Sequence, residues 1–206
     1  MDFNESDILL SELRKLSVSN LNYSILLLAL TTGLRYGELV GLTWDDFTFD
    51  YPSFENGMIE VNKTWGYMKK SEKGFGKTKN PQSLRKVSVD KVTMEHFYQL
   101  KVSAIENEHG LVFFSPSSKY NVISNTASNK LLKKTLQNLG LKVVSMHGLR
   151  HTHASVLLYK KISLYYVSER LGHGDIQTTS KEYTHVLSEL RIEDQDQARK
   201  IFSGDN

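Results

Sequence analysis

Two histidines, an arginine and a tyrosine fall within 37 residues near the end of this 206-residue chain: His147-Gly-Leu-Arg150, then Leu171-Gly-His173, then Tyr183. These side-chain types suit the attack of a phenol on a phosphodiester. Arginine offers a planar fork of donors that matches phosphate oxygens. Histidine titrates near neutrality and can move protons. Tyrosine becomes a covalent nucleophile when a neighbour takes its proton. His147 and Arg150 are three apart and share a face if helical; at a helix start they would add to donors already suited to an anion. Tyr183 is one of ten tyrosines, so its setting singles it out. The stretch Gly172-His173-Gly-Asp-Ile-Gln-Thr-Thr is a polar helix and turn that could present the phenol beside His173.

Other candidates lie further upstream. Arg35 sits in Thr-Gly-Leu-Arg35-Tyr-Gly-Glu38-Leu, where two glycines frame a turn and Glu38 can hold the guanidinium; taken alone, a surface Arg–Glu pair is the plainer reading. Lys77 and Lys79 lie in a Gly- and Lys-rich stretch whose mobility would let a lysine swing a proton donor toward a substrate. A solvated loop lysine is the plainer reading of either. His147 and His151 have the i, i+4 spacing of zinc helices, but no Glu within that helix is there to complete a site. His151 and His153 therefore read as packing residues or as supports for groups that touch substrate.

The elements that must position these residues follow from periodicity. Apolar spacing predicts helices over residues 6–16 and 22–32, the second interrupted by Gly33, with a short helix over 35–42. Residues 58–65 and 84–89 alternate like strands, with 66–82 as a long hairpin tip. Asp90 is a predicted N-cap for a helix over 93–105. Further helices are predicted over 124–139 (ended by Gly140), 147–160 and 163–171 (ended by Gly172). Helices around a small antiparallel sheet make a mostly α, α+β single domain over residues 1–206.

Charge is unevenly spread. Residues 1–60 hold three Lys/Arg against ten Asp/Glu, a balance of −7; residues 63–91 hold nine against two, and residues 130–161 seven against none, +7 each. Two basic blocks on a chain of net charge +3 suit a polyanion-binding face or, more plainly, solvated lysines. The chain has no cysteine, which excludes disulfides and thiolate metal sites and fits a reducing cytoplasm. Residues 1–7 are polar and acidic, unlike a signal peptide, and the most apolar run, 25–30, is too short to span a bilayer.

Taken together, these segments resemble the catalytic domain of the tyrosine recombinases, the phage-integrase family. The Arg35 segment resembles the family's first arginine box, and Thr78-Lys79-Asn-Pro-Gln-Ser83-Leu-Arg85 its β-hairpin lysine box. His147-Gly-Leu-Arg150-His-Thr-His-Ala resembles its His-x-x-Arg box. Leu171-Gly-His173, Ile176-Gln-Thr-Thr and Tyr183-Thr-His resemble its last two boxes. The match runs in order over residues 20–190. Family members carry a separate core-binding domain, often preceded by an arm-binding domain. Neither fits in 206 residues, so the chain is expected to be a catalytic fragment.

The resemblance implies cleavage of double-stranded DNA by Tyr183 through a 3′-phosphotyrosine, without metal or other cofactor. It implies that Arg35 and Arg150 neutralise the phosphate, His147 acts as general base and Lys79 protonates the leaving 5′-oxygen. Lys79 is preferred to Lys77 because its distance to Ser83 and Arg85 fits the box. His173 would hydrogen-bond the phosphate and help orient Tyr183, with Glu38 supporting Arg35. It further implies recombination of attachment sites by a bacterial or phage-encoded protein, working in the cytoplasm as a tetramer on DNA, with no membrane partner and with room for an accessory factor. The segment 187–206 is expected to contact a neighbouring subunit. A type IB topoisomerase, a non-catalytic DNA-binding regulator and a metal phosphohydrolase built on His147, His151 and His153 are the rival readings.

Overall fold

The computed structural model describes residues 1–66, 74–78 and 81–203. Its helices are α1 (Phe3–Ser17), α2 (Leu21–Thr32), α3 (Tyr36–Val40), α4 (Lys91–Val102), α5 (Asn125–Asn138), α6 (Met146–Tyr159), α7 (Leu164–Leu171), α8 (Ile176–Glu182) and α9 (Thr184–Ser203). The strands are β1 (Phe47–Thr48), β2 (Met58–Val61), β3 (Thr64–Trp65), β4 (Phe75–Gly76) and β5 (Arg85–Ser88). No helix among the described residues is long and apolar enough to cross a membrane.

Helix α2 is the axis of the domain, because it is apolar all round rather than along one stripe. Residues 24–30 are all buried, and α1, α4, α5 and α6 pack around them. Each fully buried leucine contributes about 1.5–3 kcal/mol relative to an exposed one. Asn20 caps the start by accepting from Asn22 N at 2.9 Å. Gly33 ends the helix in the left-handed region at φ +69°, where a side chain would also strike His153: a Cβ there would lie 2.7 Å from its Cδ2. Helix α1 is fixed by a reciprocal capping box between Asp2 and Glu5.

The small sheet has the antiparallel order β1-β2-β5, with Ile59 opposite Val87 and Val61 opposite Arg85. Ile59, Val61 and Val87 face the core while Glu60, Lys86 and Ser88 face out, the period of two seen in the sequence. The strand predicted over 58–65 divides into two. Asn62 and Lys63 leave the ladder because both side chains bond to Asp46. β3 then pairs with β4 in a separate two-stranded sheet, Trp65 opposite Phe75. Trp65 is buried and its indole N–H donates to the Tyr120 carbonyl at 2.7 Å.

The core has two parts. The larger surrounds α2. The smaller joins Ala154 and Leu158 of α6, Val167 and Leu171 of α7, and Val186 of α9 around the ring of Tyr183.

Candidate active site

The turn after α2 and the start of α6 bring the two predicted arginines together. Arg150 is in the second turn of α6, only 3% exposed. Its Nη1 donates to the Gly33 carbonyl at 2.8 Å and its Nη2 to the Leu171 carbonyl at 2.7 Å. Burial, then the charge of Arg35, lowers its pKa to about 10, so it stays cationic at neutral pH. Arg35 precedes α3. Its Nη1 donates to Glu38 Oε1 at 2.8 Å, its backbone N–H to Glu38 Oε2 at 2.9 Å and its Nη2 to the Gly172 carbonyl at 3.3 Å.

Both arginines border a cleft of about 270 Å³, walled also by Asn125 and Asn129 of α5, Ser145 and His147. The N-terminus of α6 opens onto it, with Ser145 Oγ accepting from Gly148 N at 3.1 Å. Two guanidiniums, a helix N-terminus and a histidine make a cleft suited to one phosphate group. Burial, then the nearby His151 and Arg150, lowers the His147 pKa. The imidazole is thus neutral at pH 7, as a general base must be.

Glu38 is 1% exposed. Burial opposes its charge, but Arg85 and Arg35 outweigh burial and hold its carboxyl below the ordinary glutamate value. Arg85 Nη2 lies 3.0 Å from Glu38 Oε2. Sequence reading gave Arg85 no role, although the residue stood inside the hairpin box. Lys79 lies outside the described residues. Lys77 is described and exposed, and its carbonyl accepts from Thr64 Oγ1 at 3.3 Å.

Tyr183 is 1% exposed, its ring part of the smaller core. Its hydroxyl pairs with His151 Nδ1 at 3.0 Å. His173 Nδ1 instead pairs with Thr179 Oγ1 at 2.7 Å, and its Nε2 lies 3.9 Å from Glu182 Oε2. The phenol therefore lines a second cavity, of about 660 Å³, between α6, α9 and the chain's first residues. Burial, with Glu182 adding and Arg150 opposing, raises the Tyr183 pKa well above the ordinary tyrosine value. His151, by its sequence setting a packing or supporting residue, is the hydrogen-bond partner of the phenol.

The three histidines of the rival metal reading do not converge. His153 is buried, and its ring nitrogens are taken by the Leu30 carbonyl and by Arg170 Nε, each at 2.9 Å. Because Arg170 can only donate, Nε2 accepts and Nδ1 carries the proton. Burial, then Arg170, lowers the His153 pKa to about 3; burial, then Arg150, lowers that of His173 to about 4.

These shifts set the sign of an acid dependence. Both histidines have folded values below the ordinary 6.5, so below pH 6.5 the unfolded chain takes up protons that the folded one refuses. Their stabilisation is complete above about pH 6.5 and declines as pH falls toward the folded values, by up to about 1.4 kcal/mol per pH unit per histidine. Urea midpoints should fall between pH 6.5 and 5, and His153→Gln, which keeps an amide donor and acceptor, should flatten that fall. An unchanged slope in His153→Gln would contradict the neutral, buried assignment.

Comparison with known proteins agrees with this architecture. Residues 1–189 match the model of the phage integrase family. The chain is 32% identical over 179 residues to a tyrosine recombinase XerC-like protein of Caldanaerobacter subterraneus subsp. tengcongensis, covering 80% of this chain and 45% of the relative. It is 31% identical over 182 residues to the integrase of Staphylococcus phage L54a, covering 82% and 49%. Among solved structures, the Tn1549 transposon integrase in complex with transposon right end DNA superposes with a TM-score of 0.73 at 18% identity, covering 96% of this chain and 65% of that one. The XerH site-specific recombinase bound to its difH substrate gives 0.69 at 22%, covering 93% and 51%. The fold is that of tyrosine recombinase catalytic domains. The chain belongs to the phage integrase family. It spans about half the length of the curated relatives it matches.

Proposed function

We propose that this chain carries the catalytic half of a site-specific DNA recombinase that works through a 3′-phosphotyrosine. The observation that carries the reading is the cleft in which Arg35 and Arg150, 115 positions apart in the sequence, meet the N-terminus of α6 and His147. In the proposed step the Tyr183 oxygen attacks phosphorus and its proton passes to His147. The bond to the 5′-oxygen breaks, and Lys79 protonates that leaving oxygen. The 5′-hydroxyl of a partner strand then attacks the phosphotyrosine, giving its proton to Lys79; the bond between phosphorus and the Tyr183 oxygen breaks, that oxygen regains its proton from His147, and a phosphodiester is restored. Arg35 and Arg150 neutralise charge on the non-bridging oxygens, the role metal ions take in other phosphoryl transfers. His173 adds a hydrogen bond to the phosphate. Because the phenol rests against His151, it has to leave the smaller core before attack. The basic segments 63–91 and 130–161 supply sequence-independent phosphate contacts on duplex DNA. The acting form is a tetramer on DNA in the cytoplasm, the segment 187–206 contacts a neighbouring subunit, and an accessory factor can bias direction.

The experiment uses a nicked duplex spanning the attachment site, on which the released strand end diffuses away and the adduct accumulates. A covalent protein–DNA adduct should form, and should form equally in excess EDTA, because guanidiniums and a lysine supply the positive charge. A strict divalent-ion requirement for adduct formation would sink this metal-free reading. Paired sites on one molecule should yield exchanged strands; relaxation of supercoils without exchange would instead place the chain with the type IB topoisomerases.

A further inference from the structure

Three arginines meet the end of α7. Arg85 Nε donates to the Arg170 carbonyl at 2.7 Å, Arg150 Nη2 to the Leu171 carbonyl at 2.7 Å and Arg35 Nη2 to the Gly172 carbonyl at 3.3 Å. The last carbonyls of a helix lack intrahelical partners and carry partial negative charge. Three successive residues therefore hold three guanidiniums in register. Gly172 permits this approach: it is left-handed at φ +66°, and a Cβ there would lie 2.8 Å from Arg85 Nη1.

Arg35 and Arg150 border the phosphate-sized cleft, and Arg85 does not. Arg85 is 5% exposed at its side chain. Besides the Arg170 carbonyl it bonds Glu38 Oε1 at 3.3 Å, Glu38 Oε2 at 3.0 Å and the Ser83 carbonyl at 2.8 Å. With its donors so committed, it has little left for a substrate. The same Glu38 carboxylate holds both the side chain and the backbone N–H of Arg35. Arg85 thus fixes Glu38, and Glu38 fixes Arg35. Ser83 and Arg85 both lie at the end of the hairpin box, so this contact ties that segment to the cleft.

We propose that Arg85 is a positioning residue for strand cleavage, holding Glu38 so that the Arg35 guanidinium faces the scissile phosphate; the inference rests on the DNA-cleavage reading above. On the nicked duplex, Arg85→Ala should bind within about threefold of wild type, because affinity is spread over many phosphate contacts. Its adduct formation should fall about a hundredfold, as for loss of one preorganised donor. The second substrate carries a methylphosphonate at the scissile position. A methyl replaces one charged oxygen there, so the charge that Arg35 neutralises is gone. On it the deficit of Arg85→Ala should shrink to about tenfold or less, and Arg35→Ala should behave alike. A residue that only supports the fold would slow both substrates equally. Arg85→Lys keeps the buried charge without the fork; it is expected to fold with a lowered melting temperature, since an ammonium cannot reach all four acceptors, and to show the same rescue, which covers the case in which Arg85→Ala does not fold.

A folded variant that cleaves the ordinary duplex at the wild-type rate, or loses equally on both substrates, overturns the proposal. Failure of the wild-type chain to form any adduct would instead refute the cleavage reading. The Arg85 proposal is then read without DNA, from the Glu38 carboxyl titration by carbon-13 NMR. Arg85→Lys should raise the Glu38 pKa, and an unmoved titration overturns the inference.

Discussion

Tyr183→Phe is expected to abolish the protein–DNA adduct while leaving DNA affinity unchanged. The substitution removes one oxygen and keeps the ring that packs with Leu158, Val167 and Leu171 in the smaller core. What the fold loses is the hydrogen bond to His151 Nδ1, a loss of about 0.5–1.5 kcal/mol for a typical pair. The thermal midpoint should therefore shift by a few degrees at most. Affinity is unaffected because the buried phenol contributes no phosphate contact in its resting place. The chemical loss is total, since phenylalanine has no nucleophile. Gel detection of the adduct on the nicked duplex, beside a binding isotherm, measures both. An adduct forming at the normal rate in Tyr183→Phe would mean that another side chain attacks.

Much of this arrangement was legible in the sequence because the relevant signals are local. Apolar periodicity found α1 and α2 to within a few residues, and Asp90 stands as the expected N-cap, its side chain accepting from Thr93 N; Ser124, expected as the first helical residue of α5, is its N-cap and accepts from Ala127 N. Gly33 and Gly172 were legible as helix ends because a left-handed residue favours glycine. The strand over 58–65 was not, since what divides it is a long-range bond from Asn62 and Lys63 to Asp46, which no local pattern records. The cleft was legible as a set of residue types, yet their pairing was not. Whether the phenol faces His173 or His151 depends on how α8 packs on α7 and α9 on α6, and that is decided by the ring's burial among apolar side chains. Arg85 escaped notice for the same reason: a strand residue with a charged end reads as solvent-facing until its partner, Glu38, is seen to be buried.

The other large effect is expected at Arg150, where chemistry and folding must be separated. Arg150→Ala removes a buried cation and leaves the Gly33 and Leu171 carbonyls without their donors, at about 1–3 kcal/mol for each buried group left unpaired. Loss of activity in that variant would therefore not isolate a catalytic role. Arg150→Lys is the informative change. An ammonium keeps the positive charge and can still reach one carbonyl, but a point charge cannot hold two carbonyls and also present a planar pair of donors to a phosphate. The protein should remain folded with a loss of about 1–3 kcal/mol, corresponding to one unpaired carbonyl. Cleavage should fall by roughly 10²–10³, because the donor acts on charge that develops only in the transition state. Binding should change little, since affinity is spread over many phosphates. Single-turnover adduct formation, measured at a temperature where circular dichroism shows the variant fully native, tests this directly. A lysine variant that cleaves within a few-fold of wild type would show that Arg150 serves to tie α6 to Gly33 and α7, and that the phosphate is stabilised by Arg35 alone.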